Sequence, residues 1–188
     1  MSILTAAPPR DAVTGDPARL RRALGSFATG VTVVTVGGAV PRGMTANSFT
    51  SVSLDPALVL LCVGNDAVMN RVLAEADTFA VSVLGAGQED VSRHFADRSR
   101  PLGAAQFDAV DWLPGRTTAA PVIAGAAAHF ECARWRTYDG GDHTIHVGRV
   151  LDLEELPGRE PLVFHGGRFR QVVPQPVARP VPQPGGRR

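Results

Sequence analysis

The sequence contains no lysine, and all nineteen of its basic residues are arginine. A chain without lysine has no amine for Schiff-base chemistry and no P-loop lysine for nucleotide phosphates. Any anion must therefore be bound by arginine side chains or by backbone amides. Together with 20 glycines and 15 prolines, this bias is typical of GC-rich coding and indicates a bacterial source.

The chain also lacks an excess of either charge, because nineteen basic residues stand against eighteen acidic ones and the formal net charge is +1. So small a charge offers no field to a phosphate backbone or an anionic membrane, and we expect neither nucleic acid nor a membrane as a partner. No basic segment followed by an apolar one opens the chain, and no run approaches the roughly 18 apolar residues of a spanning helix. We therefore expect a cytoplasmic protein.

Cysteine is scarce too, and the two cysteines, Cys62 and Cys132, both lie in apolar runs. This placement predicts buried free thiols in a reducing compartment rather than a disulfide.

His143 and His146 come nearest to a metal pair, but residues three apart on a strand point to opposite faces and no further ligand completes a tetrahedral set. The sequence predicts no metal site. The serine-nucleophile motif G-x-S-x-G is absent as well, so hydrolase chemistry has no support.

The composition fits one domain with a sizeable core, since 44% of the 188 residues are hydrophobic. Both ends of the chain are poor in large apolar side chains and rich in proline or small residues. Residues 1–15 are predicted to be a disordered N-terminal arm and residues 174–188 a disordered proline-rich tail. No linker divides the remaining stretch, and 16–173 is predicted to be the folded domain.

Hydrophobic periodicity predicts about eight strands and two or three helices. The first helix is expected to start with Asp16 as N-cap and Pro17 at its first position, and to end near Gly30. The other elements are predicted as helices from Asp66 to about Ala76 and over 88–96, strands over 31–36, 43–53, 57–63 and 78–84, and hairpins around 139–141 and 166–167. The continuous apolar run 57–63 is expected to be buried on both faces. This pattern predicts a mainly β fold, an antiparallel barrel with peripheral helices rather than a doubly wound parallel sheet.

A glycine pair, Gly85 and Gly87, comes nearest to a dinucleotide-binding fingerprint. Asp90 stands where the third glycine of that motif would be. A carboxylate at the start of a helix would repel a pyrophosphate. The segment therefore predicts a plain turn from a strand to a helix.

Two polar segments are candidates for function. GMTANSFTSVS, residues 43–53, crowds hydroxyl and amide side chains between apolar strands, and a planar heteroaromatic ring would satisfy their hydrogen bonds if they are partly buried. The alternative is an edge strand with an ordinary solvent face. Gly141-Asp142-His143 places a carboxylate beside an imidazole at the mouth of a hairpin. The alternative there is a turn aspartate with an exposed histidine.

Eight segments follow one another in a very specific order and spacing: LRRALGSFATGVTVVTV, GMTANSFTSVSLDPALVLLCV, FAVSVL, SRHFADR, AQFDAVDW, PVIAGAAAHFECARW, GDHTIHVGRVL and PLVFHGGRFRQV. In this order the chain from about Leu20 to Val172 resembles the short-chain flavin reductase family, the reductase components of two-component flavin-dependent monooxygenases. The resemblance implies a flavin-binding split β-barrel, an antiparallel sheet of Greek-key type.

The resemblance also implies where the ligands bind. Flavin contacts are implied for Met44, Thr45, Ala46, Asn47, Ser48, Phe95, Arg98 and Phe107. The hydroxyl side chains with which the family binds the flavin phosphate are missing from residues 64–70. The candidate replacements are Ser51, Ser53, Asn65, Asn70 or backbone amides. Gln106 stands where the family has a lysine. His143, oriented by Asp142, is implied to lie beside the nicotinamide as the catalytic pair, and Phe169 to help stack the pyridine nucleotide.

The implied function is that of an NAD(P)H:flavin oxidoreductase. Such an enzyme reduces free FAD or FMN by hydride transfer and supplies the reduced flavin to a partner monooxygenase. FAD and NADH are favoured, with FMN and NADPH left open, and the resemblance implies a homodimer. The alternative is a non-catalytic split-barrel protein that binds or carries flavin.

Overall fold

A seven-stranded antiparallel sheet forms the body of the fold in the computed structural model, which describes residues 16–173. The predictions for 1–15 and 174–188 lie outside the described residues. The helices are α1 (Pro17–Leu24), α2 (Val68–Glu75) and α3 (Glu89–Ala96). The strands are β1 (Thr29–Gly30), β2 (Thr32–Val36), β3 (Arg42–Ala46), β4 (Thr50–Leu54), β5 (Ala57–Gly64), β6 (Thr78–Val83), β7 (Trp112–Pro114), β8 (Pro121–Ile123), β9 (Ala128–Gly140), β10 (His143–Glu155), β11 (Val163–His165) and β12 (Arg168–Arg170).

The main sheet has the order β3-β2-β6-β9-β10-β5-β4, and all of its neighbours are antiparallel. Its centre is the long β9–β10 hairpin, in which His143 pairs with Gly140 across the predicted turn. Small sheets β1-β11-β12 and β7-β8 flank it. The prediction of a mainly β, antiparallel fold with peripheral helices is confirmed.

The predicted strand 43–53 is wrong as a single element, because it divides into β3 and β4 at Asn47–Phe49. β3 pairs with β2 at one edge of the sheet and β4 pairs with β5 at the other. The three residues between them span at most about 14 Å from Ala46 to Thr50. The two edges must therefore curl towards each other, and this linker brings the end of β3 next to β5.

Helix α1 has the predicted start, since the Asp16 carboxylate accepts hydrogen bonds from the amides of Ala18 (2.9 Å) and Arg19 (3.1 Å) and Pro17 follows at the first position. It ends at Leu24 rather than near Gly30, because Thr29–Gly30 pairs with β11 instead. Its apolar stripe is not covered by the described chain: Leu24 is 66% exposed.

Strand β5 is not buried on both faces, as the apolar run had led us to expect. Its exposure alternates: Val59, Leu61 and Val63 belong to the core, whereas Leu58 and Leu60 on the other face are half-buried. One face of the strand is thus only partly covered by residues 16–173.

The two thiols are free, with Cys132 fully buried and Cys62 half-buried. Burial raises the pKa of Cys132 to about 12, with a smaller contribution from the charge of Glu131. The segment Gly85–Gly87 is the predicted turn into α3, where the Gly85 amide donates to Gln88. Within residues 16–173 no helix is long and apolar enough to cross a membrane.

Candidate active site

The two polar segments singled out from the sequence meet at one cavity of about 810 Å³, called here the main cavity. It lies between the end of β3, the end of β5 and the tip of the β9–β10 hairpin. Nine predicted site residues line it: Met44, Thr45, Ala46, Asn47, Ser48, Asn65, Arg98, Asp142 and His143. The curl of the sheet is what brings these distant segments together.

The strand side of the main cavity is held by hydrogen bonds within the protein. The Thr45 hydroxyl donates to the Ser92 carbonyl of α3 (2.7 Å). The Ser48 hydroxyl donates to the Cys62 carbonyl (2.9 Å) and accepts from the Cys62 amide (3.0 Å). These hydroxyls therefore need no ligand to satisfy them, in contrast to the argument from sequence. The Asn47 side chain is exposed and makes no hydrogen bond to any described residue.

The hairpin tip presents His143 to the main cavity. Its Nδ1 lies 2.7 Å from Oδ1 of Asp142, and Nε2 lies 3.9 Å from the place that a side chain at Gly64 would take. The hydrogen bond to His143 and the charge of that imidazole lower the pKa of Asp142. The place of a Gly64 side chain lies closer still to Oδ1 of Asp66, at 3.1 Å, so Gly64 gives the cavity a bare backbone between this carboxylate and the imidazole.

Asn65 fixes the position of this hairpin tip. Its side-chain amide donates to the Gly141 carbonyl (2.9 Å), its side-chain oxygen accepts from Thr144 (2.8 Å), and its backbone amide donates to the Asp142 carbonyl (3.0 Å). Asn65 thus lines the cavity, but its polar groups are used to hold the hairpin rather than left free for a ligand.

A second cavity of about 340 Å³ adjoins the main one, and we call it the arginine cavity. The two cavities share Met44, Thr45, Asp66, Ala67 and Arg98. The arginine cavity adds Arg42, Arg100, the predicted residue Phe95 and the start of α2. With three arginines and one carboxylate among its lining residues, it is a cationic site.

Arg42 and Arg100 were missed by the sequence reasoning. The only signal for them was the absence of lysine, which requires arginine for any anion contact. Arg100 is 8% exposed and donates to the carbonyls of Gly43 and Asp97. Burial and the neighbouring Arg42 cation lower the pKa of Arg100.

Asp66 was predicted to open the second helix, but α2 starts at Val68 with Ala67 as its N-cap and no capping side chain. Asp66 instead pairs with Arg98 across the mouth of the two cavities, at 3.6 Å. This pair is exposed, with 87% of the Arg98 side chain accessible.

Several predicted ligand residues lie elsewhere. Asn70 faces β10, where its side-chain oxygen lies 2.7 Å from Nε2 of buried His146. His143 and His146 therefore lie on opposite sides of the strand, as their spacing predicts. Ser51 and Ser53 lie on β4 and Phe107 in the core, outside the lining of both cavities. Phe169 lines a separate surface cavity and packs under Arg93, 5.0 Å from its ring centre.

Gln106, at the position next to Phe107, is fully buried and structural. Its side chain accepts from the Gly43 amide (2.8 Å) and donates to the carbonyls of Pro41 and Gly103 (both 2.8 Å). It therefore holds the start of β3 against the Gly103–Phe107 turn. No group of three histidine, cysteine, aspartate or glutamate side chains suited to a metal occurs in residues 16–173.

Comparison with known proteins gives consistent matches. The flavin reductase-like domain matches residues 24–173. An NADH-dependent FAD reductase from Streptomyces globisporus is 62% identical over 169 residues, 89% of this chain and 93% of that protein. A flavin-dependent monooxygenase reductase subunit from Rhodococcus jostii is 34% identical over 85% of this chain and 80% of its own. The solved structure of a Streptomyces globisporus NADH:FAD oxidoreductase with NAD and FAD fragments superposes with a TM-score of 0.81 at 61% identity, covering 85% of this chain and 94% of that one.

Proposed function

The chain belongs to the flavin reductase-like family and is an NADH-dependent flavin reductase, and we propose that it reduces FAD in the main cavity and releases the reduced flavin to a separate monooxygenase. The observation that carries the proposal is the meeting of the Met44–Ser48 segment with the Asp142–His143 pair at one cavity. Hydride transfer needs a flavin ring and a nicotinamide ring stacked face to face, and the meeting of these two segments supports a place for one ring against each of them.

The residues present fit a flavin nucleotide. The main cavity offers the bare backbone of Gly64 and the exposed side-chain amide of Asn47, while the arginine cavity offers cations to a phosphate. The cofactor pair supplies the chemistry, transfer of a hydride from the nicotinamide to the flavin. The chain's own residues therefore have to bind, orient and exclude water, and no strong acid or base is needed.

Within this scheme the Met44–Ser48 backbone holds the flavin ring, and His143 holds the nicotinamide side. Asp142 accepts the Nδ1 proton of His143, so Nε2 is left as the atom directed to the ligand. His143 thus acts as a positioning hydrogen-bond partner and not as a nucleophile.

The test is NADH consumption by the purified full-length protein with FAD, with FMN and without flavin, repeated with NADPH. We expect turnover that requires added flavin, saturates with it and is faster with FAD and NADH. The alternative hypothesis is a flavin carrier, which would bind flavin without consuming either nicotinamide nucleotide. That result would overturn the proposal.

Homodimer formation is part of the proposal. The uncovered stripe of α1, with Leu24 66% exposed, the neighbouring Phe27 in the turn after it, 77% exposed, and the outer face of β4, with Leu54 95% exposed, are apolar surfaces that a soluble monomer rarely leaves open. Light scattering at working concentration is expected to give the mass of two chains, and the mass of one chain would contradict it.

Free thiols and NADH dependence support a cytoplasmic location.

A further inference from the structure

The tip of the β9–β10 hairpin, residues 140–144, has little packing to hold it in place. The pairing of β9 with β6 ends at Ala133, and the residues of β9 that follow, Arg134–Gly140, are all exposed. On the other side, the last pair between β10 and β5 before the tip is His143 with Gly64. The position of the tip therefore depends on the few hydrogen bonds that reach it from the rest of the chain.

Asn65 makes those hydrogen bonds. Its side-chain nitrogen donates to the Gly141 carbonyl, and its side-chain oxygen accepts from the Thr144 hydroxyl. Its backbone amide donates to the Asp142 carbonyl. The bonded groups thus lie on both sides of His143 along the chain. Within 16–173, no other side chain from outside the hairpin hydrogen-bonds to the tip.

The segment that carries Asn65 is itself well held. Asn65 lies in a tight turn between β5 and α2, which is closed by a hydrogen bond from the Ala67 amide to the Gly64 carbonyl (2.9 Å). This turn follows directly on β5, a strand with a partner on each side in the main sheet. The bonds of Asn65 therefore tie the hairpin tip to the body of the sheet.

The Asn65 side chain uses its nitrogen and its oxygen on the hairpin, so it is poorly placed for the phosphate contact that the resemblance implied. We propose that Asn65 is instead a positioning residue for the nicotinamide side of the reaction, and that it holds His143 in place through the hairpin tip. This inference rests on the proposed function, in which His143 meets the nicotinamide.

Hydride transfer is sensitive to a displacement of the tip because it needs the two rings at close distance and in a fixed orientation. The Asp142 carboxylate holds Nδ1 of His143, but both side chains belong to the tip and move with it. Without the bonds from Asn65, a shift of the tip displaces Nε2 of His143 from the nicotinamide. The flavin contacts proposed on β3 do not depend on these bonds.

The experiment compares Asn65→Ala with the wild-type full-length protein in steady-state NADH oxidation and in flavin titration. The variant keeps the backbone bond to Asp142 and loses only the two side-chain bonds. We expect kcat/KM for NADH to fall by about 5- to 30-fold, and the affinities for riboflavin, FMN and FAD to change by less than about twofold. Because Asn65 is exposed, the urea midpoint of unfolding should fall by less than about 0.5 M.

A double-mutant cycle tests whether Asn65 acts through His143. In the His143→Ala background, Asn65→Ala should lower kcat/KM for NADH by less than about twofold, because no imidazole is left to displace. Thr144→Val removes one of the two side-chain bonds and should cost about 2- to 5-fold, whereas Thr144→Ser keeps the hydroxyl and should stay within about twofold of the wild type. Thr137→Val, at an exposed threonine of β9 outside both cavities, is the matched control and should equal the wild type.

An equal loss from Asn65→Ala with and without the His143 imidazole would overturn the inference. A loss of FMN and FAD affinity that spares riboflavin would also overturn it, and would make Asn65 a phosphate contact. If Asn65→Ala does not fold, equal rates for Thr144→Val and Thr144→Ser would have the same meaning. These results leave the proposed function standing, since the wild type still reduces flavin. If the wild type consumes no NADH with any flavin, the proposed function fails and this inference fails with it.

Discussion

The imidazole of His143 and the carboxylate of Asp142 form a neighbouring pair, Nδ1 to Oδ1 at 2.7 Å, at the tip of the β9–β10 hairpin. Neighbours on a regular strand point to opposite sides, so this contact depends on the turn at Gly141, which has a φ of +80°. The pair is exposed to the main cavity and fixed there by Asn65. The turn thus leaves Nε2 as the imidazole nitrogen without a hydrogen bond to any residue in 16–173.

Replacing His143 by alanine is expected to lower kcat/KM for NADH by about 10- to 100-fold, because an oriented hydrogen-bond partner of the nicotinamide is lost. The affinity for flavin should stay within about twofold. Steady-state NADH oxidation and flavin titration measure the two quantities. His165→Ala, at an exposed histidine of β11, is the control. Full activity of the His143→Ala protein would remove this residue from the site.

Asp66 is a negative charge beside a proposed phosphate site, and its removal is expected to tighten flavin nucleotide binding. For Asp66→Asn we expect FMN affinity to rise by about 3- to 10-fold at low salt, and less at high salt as the charges are screened. The same variant should release FMN more slowly in stopped-flow displacement. Asp77→Asn, a carboxylate that is 96% exposed and lies outside both cavities, serves as the control. An equal gain for riboflavin, which has no phosphate, would contradict the electrostatic explanation.

Gly43 is required where β3 passes the core, since a Cβ there would lie 2.5 Å from the ring of fully buried Phe95. Gly43→Ala is expected to lower the free energy of unfolding by about 1–3 kcal/mol, measured by urea denaturation. Flavin affinity should fall as well, because the Gly43 carbonyl accepts from Arg100. Gly30→Ala on β1, where no atom lies within 4 Å of the added carbon, should cost far less.

Local sequence patterns predicted the elements that local chemistry determines. Asp16 and Pro17 begin α1, and the glycines of 140–141 turn the long hairpin, because capping and turn formation involve only neighbouring residues. The break between β3 and β4 was not predictable in this way. Polar and apolar residues continue through Asn47–Phe49 without interruption, and the division depends on which sheet edge each half joins.

The candidate site likewise contains residues that local patterns indicate and residues that only tertiary packing brings there. His143 and the Met44–Ser48 segment carry recognisable patterns, and the structure brings both to the main cavity. Arg100 lies in an aperiodic stretch and reaches the site only through the packing of the chain after α3 against β3, so no local pattern indicates it. Asn70 was expected to contact flavin, but the helix turns its side chain towards His146.

Glu131 gives a prediction on acid stability. Burial opposes its ionisation, but hydrogen bonds from the hydroxyl and amide of Thr118 and the amides of Thr117 and Arg116 outweigh that cost and hold its pKa below the usual value. The unfolded chain therefore binds this proton more tightly than the folded one. The stabilisation is complete above the unfolded pKa, about 4.3, and is lost as the pH falls through the lower folded pKa.

Glu131→Gln should accordingly destabilise the protein at neutral pH by about 2 kcal/mol, because an amide nitrogen replaces one acceptor of the backbone amides. Below about pH 4.5 the difference from the wild type should shrink, since the wild-type carboxylate is then being protonated as well. Urea unfolding at a series of pH values measures this convergence, and Glu155→Gln, at an exposed residue near the end of β10, should follow the wild-type curve. A difference between Glu131→Gln and the wild type that stays constant down to pH 3 would mean that the glutamine acts through packing alone, and that the hydrogen-bonded charge does not stabilise the fold.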